Sequence, residues 1–165
     1  MPSETESQLN TLSRFGLTVF PSLLALESLL TLALAWAIYH RLSRARIGAP
    51  LRPLREFRFN DQLVWGLIAG LTIVFLPTLQ SFRGVGSNLL LFFSALYAIR
   101  GLGVLAWFLA PGALAATLTI GFAMLWLPVI QFAAVVGFLL LLIAAFGLGL
   151  GDTWADWRRR ARPTS

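Results

Sequence analysis

Cysteine is absent from the 165 residues. That excludes disulfides, thiol catalysis and thiolate-ligated zinc or iron–sulfur centres. Lysine is absent too, so all 13 basic residues are arginines. The single histidine, His40, excludes HExxH zinc sites and any multi-histidine centre. No GxSxG elbow, Walker loop or spaced carboxylate pair is present. Gly147, Gly149 and Gly151 share only composition with a phosphate loop, because no strand precedes them and the GxGxxG spacing is missing. No metal, cofactor or catalytic residue is therefore expected. Charge of either sign is scarce: 12% of the residues are charged, against about 25% in an ordinary soluble domain.

Apolar residues fill that space, at 58% of the chain. A soluble domain of this length would expose large apolar patches and aggregate. The composition therefore reads as an integral membrane protein. The net charge of +6 points to topology and anionic lipid headgroups, with no nucleic acid partner.

The hydropathy pattern predicts an all-α, polytopic transmembrane helical bundle of about five spans. A polar N-terminal tail, residues 1–14, precedes the transmembrane domain, residues 15–151. The spans are placed at 15–39, 63–79, 88–109, 113–128 and 131–150. The first run, Phe15 to Tyr39, would be about 37 Å long as a helix, against a hydrocarbon core of about 30 Å. A basic link, residues 40–62, follows it. The uncharged stretch Ala113 to Leu150 is too long for one span, and Trp126-Leu127-Pro128 marks the expected break. With five spans the link and the C-terminal tail share a side, and both are arginine-rich. The positive-inside rule then puts the N-terminus outside and the C-terminus in the cytoplasm.

Three groups of residues stand out. Gly66 and Gly70 form a GxxxG pair suited to close helix packing, and Ala133 with Gly137 forms a looser one. Glu27 and Arg100 lie deep in apolar runs, each 12 residues from the predicted start of its span, and are expected to form a buried polar pair. The third group is the headgroup contact set: Arg41, Arg44, Arg46, Arg52, Arg55 and Arg58 in the link, with Trp154, Trp157, Arg158, Arg159, Arg160 and Arg162 in the tail. Residues 152–165 read as an interfacial helix capped by Asp152, with Asp156 paired to Arg159 or Arg160.

Pro21-Ser22, the arginine-rich link, the segment LREFRFNDQLVWGL (residues 54–67), RGLGVLAW (residues 100–107) and GLGLGDTWADWRRR (residues 147–160) carry a resemblance. In that order they are similar to the bacterial YybS-like predicted membrane proteins, an uncharacterised family. The resemblance covers roughly residues 15–160. It implies a bacterial cytoplasmic (inner) membrane location. It also implies that the chain corresponds to the C-terminal half of longer relatives, without their N-terminal helices. A fold-level likeness to membrane subunits of vitamin transporters and to cell-shape membrane proteins follows from the same resemblance. The expected function is a non-enzymatic membrane subunit that packs against other membrane proteins. The alternative is a substrate-binding or transport subunit with a mid-membrane polar site.

Overall fold

The structure, a computed structural model, describes residues 2–45, 47–110, 112–128 and 130–157, with the backbone alone for residues 2–5 and for residue 12. Among the described residues five α-helices follow one another: α1 (Pro2–Leu42), α2 (Val64–Phe75), α3 (Arg83–Phe108), α4 (Ala113–Met124) and α5 (Gln131–Ala155). Short 3-10 helices occupy Leu54–Glu56, Asp61–Leu63 and Pro77–Phe82. No strand occurs among the described residues. Three stretches, Glu6–Leu42, Pro77–Phe108 and Gln131–Ala155, are long and apolar enough to cross a bilayer. The chain is thus an all-α, polytopic membrane protein with at least three membrane-length helices.

Several boundaries differ from the sequence expectation, each for a local reason. α1 runs from Pro2 rather than starting near Phe15. No glycine or proline lies between Ser3 and Phe15 to end it, so residues 2–14 are helical and continuous with α1. α2 and α4 have 12 residues each, about 18 Å of helix, short of the hydrocarbon thickness. α2 stops because Leu76, ahead of Pro77, takes an extended conformation (φ −78°, ψ 119°). α4 begins after Gly112, which adopts φ +86°, a conformation that favours glycine. α4 ends before Leu125, and α5 begins after Ile130, whose backbone is not helical (φ −113°, ψ 0°). α5 continues through Gly147, Gly149 and Gly151 to Ala155, so Asp152 lies within it and caps no new helix.

The chain divides into two compact units. One comprises residues 1–51 and 62–94, the other residues 52–61 and 95–165. In the first, α1 buries a stripe of Val19, Ser22 and His40, with Leu26, Ala33 and Ala37 half-buried along it. These positions recur at nearly half-heptad spacing, as a helix packing along one seam requires. Pro21 has no N–H to give to α1's own ladder, and next to it the helix is joined by Asn88 of α3. The Asn88 amide accepts from the Ser22 N–H at 2.9 Å and donates to the Thr18 carbonyl at 2.6 Å. It thereby bridges two groups that a helix ordinarily bonds to each other. The Ser22 hydroxyl adds bonds to the Asn88 carbonyl and side chain.

Gly66 and Gly70 of α2 face α3. A Cβ on Gly66 would overlap the Phe93 ring, and one on Gly70 would stand 3.0 Å from the Leu90 amide nitrogen. Gly86 of α3 presses back on Ile73 and Val74. At the end of α1, Trp36, Tyr39 and His40 stack on one another with ring centroids 4.9 to 5.6 Å apart. The chain folds back over them, with the Trp36 indole donating to the Ala49 carbonyl and Tyr39 accepting from the Ile47 N–H.

Candidate functional site

The second unit is organised around a contact between backbones. Tyr97, Arg100, Gly101 and Val104 form a buried stripe on α3, and Ala145, Gly149 and Asp152 form one on α5. Both repeat at intervals of three or four, so each is one helical face. The approach is very close. A Cβ on Gly101 would overlap the Ala145 carbonyl, and one on Gly149 would overlap the Tyr97 carbonyl. Only glycine fits at either position, and this closeness brings Arg100 beside Asp152.

Arg100 is fully buried. Its Nε donates to Asp152 Oδ2 at 3.0 Å, and its Nη1 donates to Asp61 Oδ1 at 2.6 Å. Asp152 is also fully buried, whereas the Asp61 side chain is 56% exposed. The guanidinium carbon lies 5.3 Å from the centre of the Phe59 ring, a cation–π contact. Phe59 meets Tyr97 edge-on at 5.0 Å. Arg100 Nη2, Tyr97 Oη and Thr153 Oγ1 have no protein partner, which leaves hydrogen-bonding capacity that ordered water can take up.

Two further arginines fasten the segment 52–61 to the same helix ends. Arg55 donates to the Ala106 carbonyl at 3.0 Å, supplying a donor to the last turns of α3, whose carbonyls lack partners within the helix. Arg58 pairs with Asp156, which closes α5 in a left-handed conformation (φ 42°). The arrangement is a polar clasp: three arginine-centred contacts tie one irregular segment to two helix ends. No group of three or more histidines, cysteines or carboxylates able to hold a metal occurs among the described residues.

The sequence pairs Arg100 with Glu27 as an expectation. Among the described residues the guanidinium's ion pairs are with Asp61 and Asp152, and Glu27 is an exposed residue of α1. The matched depth assumed for the two residues depended on α3 starting at Asn88. The helix starts five residues earlier, at Arg83. Sequence reasoning noticed Asp152 only as a helix cap and gave Asp61 no role. The available signal was the pairing of an acidic residue near the end of α5 with an intramembrane arginine that needs a counterion.

Among the residues expected at headgroups, Arg41, Arg44, Arg52 and Trp154 are exposed. Arg55 and Arg58 are engaged within the chain. Trp157 is half-buried, 3.0 Å from a Cβ position on Gly151. It follows the break at Asp156, so Trp154 and Trp157 do not sit on one continuing helix. Arg46, Arg158, Arg159, Arg160 and Arg162 lie outside the described residues, as does the pairing of Asp156 with Arg159 or Arg160.

A family model described as a predicted membrane protein (DUF2232) matches residues 1–148. The chain belongs to this family. The match covers the α3 and 52–61 sides of the clasp and ends just before Asp152. No curated protein and no solved structure matches the chain.

Proposed function

We propose that this member of the family is a non-enzymatic subunit of the bacterial cytoplasmic membrane that packs against other membrane proteins. The observation that carries the reading is how little of its apolar helix surface the chain covers itself. Within the most apolar windows of the first and last membrane-length helices, 11% of residues are buried. The buried polar cluster around Arg100 is bonded to carboxylates of the chain itself.

A five-crossing topology belongs to this reading, and the clasp supports it. α1 delivers the chain to the arginine-rich link. Residues of α3 and α5 bond to residues 55, 58 and 61 of that link, so these two helices run toward the same side. In the five-crossing reading the segment after the link and the segment after α3 each cross back. Their helices are short, and a bilayer accommodates such segments by local thinning. The positive-inside rule makes the link side cytoplasmic. There Arg41, Arg44 and Arg52 are exposed to meet anionic headgroups, each worth about 1 kcal/mol near the surface.

Extraction of the full chain in mild detergent, followed by light scattering and mass spectrometry, tests the reading. A second membrane protein in fixed ratio is the expected result. A chain that runs alone contradicts it, and a retained small molecule favours the transport alternative.

A further inference from the structure

Glu27 stands at the middle of the apolar run Phe15 to Tyr39, 12 residues from either end, about 18 Å from each along the helix. Its side chain is exposed, and it makes no hydrogen bond or ion pair with the described residues. A carboxylate facing lipid at that depth is strongly disfavoured, and intramembrane acids face a partner or a wet cavity.

One turn from Glu27, Leu23, Leu24, Leu30 and Thr31 are exposed, and Ser28 and Ala35 are exposed nearby. At 100° per residue, Glu27, Ser28, Thr31 and Ala35 lie on the side of α1 away from the buried stripe of Val19, Ser22, Leu26, Ala33, Ala37 and His40. Small and hydroxylated side chains let another helix approach closely and hydrogen-bond across the contact.

Charge complementarity identifies the occupant. Arg100 is already held by two carboxylates and fully buried. The remaining described arginines lie in the link or toward helix ends, away from the centre of an apolar run. A second copy of the chain therefore brings no accessible cation to this depth. We propose that the Glu27 face of α1 docks a transmembrane helix of a different membrane protein, one carrying an arginine or lysine near mid-bilayer. This rests on the subunit reading and locates its interface.

The chain lacks cysteine, so Thr31→Cys in the full-length protein carries a photocrosslinker at one position only. In native membranes the expected product is a protein adduct whose cross-linked partner peptide contains an arginine or lysine inside an apolar run. Its yield falls about tenfold, equivalent to about 1.4 kcal/mol, when Glu27→Leu is added, and largely survives Glu27→Asp. The purified Glu27→Leu chain keeps or raises its melting temperature, which separates lost docking from lost folding. Four outcomes overturn the proposal: lipid adducts alone at residue 31, an adduct of twice the chain's mass, a yield indifferent to Glu27→Leu, or a partner peptide without a basic residue. A Leu140→Cys probe on the exposed face of α5 distinguishes the two levels. Protein adducts there with lipid alone at residue 31 overturn the docking face and leave the subunit reading standing. Lipid alone at both positions overturns both.

Discussion

Arg100 and Glu27 are both charges on long apolar helices, and the chain treats them in opposite ways. Arg100 is enclosed by Asp61, Asp152 and Phe59. Glu27 is exposed, with Leu23, Leu24, Leu30 and Thr31 exposed one turn away from it. An enclosed ion pair makes its members mutually dependent, since removing one leaves the other charge stranded in a low dielectric. An exposed carboxylate adds nothing to the isolated chain that its loss would remove. One charge holds the fold together, and the other is left for a contact outside it.

The largest effect follows from breaking the enclosed side. Arg100→Leu should cost about 3–5 kcal/mol of stability, because it strands Asp152. The double replacement Arg100→Leu with Asp152→Leu should recover part of that loss. Thermal unfolding in one detergent measures both, and a cost below about 1 kcal/mol for Arg100→Leu would mean that the clasp is not holding the helices.

The glycines sharpen the contrast next. Gly149→Ala should cost about 1–3 kcal/mol, since its Cβ would meet the Tyr97 carbonyl. A Cβ on Gly137 or Gly147 would meet no described atom within 4 Å beyond its own helix backbone. There the same change should gain up to about 1 kcal/mol in helix propensity. Equal effects at Gly149 and Gly147, read from the same melting curves, would remove the close α3–α5 contact from the account.

A smaller loss is expected at the other polar staple. Asn88→Ala should cost about 0.5–2 kcal/mol, the range of interhelical hydrogen bonds in membranes. Hydrogen exchange should rise first at Ser22, whose N–H would lose its acceptor. Unchanged exchange at Ser22 would show that α1 closes its own ladder across Pro21.

The membrane class was legible because uncharged runs of bilayer length need no tertiary information. Helix ends were less so. The break between α4 and α5 follows from Trp126-Leu127-Pro128, a local signal. The early start of α3 depends on residues 77–82 winding as a 3-10 helix, and no local apolar pattern marks that. The clasp was hidden for a different reason. Asp61 and Asp152 are 39 and 52 positions from Arg100, and only the approach of Gly101 and Gly149 to opposing carbonyls brings the stripes into register. Hydropathy reads each glycine as a neutral spacer. Arg55 and Arg58 looked like headgroup ligands because charge patterning cannot distinguish an arginine bound to lipid from one that bonds a helix-end carbonyl or an aspartate.

The most direct test removes one carboxylate from each region. Glu27→Leu and Asp152→Leu, purified in the same detergent and unfolded side by side, take away the same chemical group from an exposed and an enclosed site. The account predicts a loss of about 3–5 kcal/mol for Asp152→Leu and an unchanged or higher melting temperature for Glu27→Leu. Destabilisation of Glu27→Leu comparable to that of Asp152→Leu would contradict it, because Glu27 would then be holding the chain's own fold.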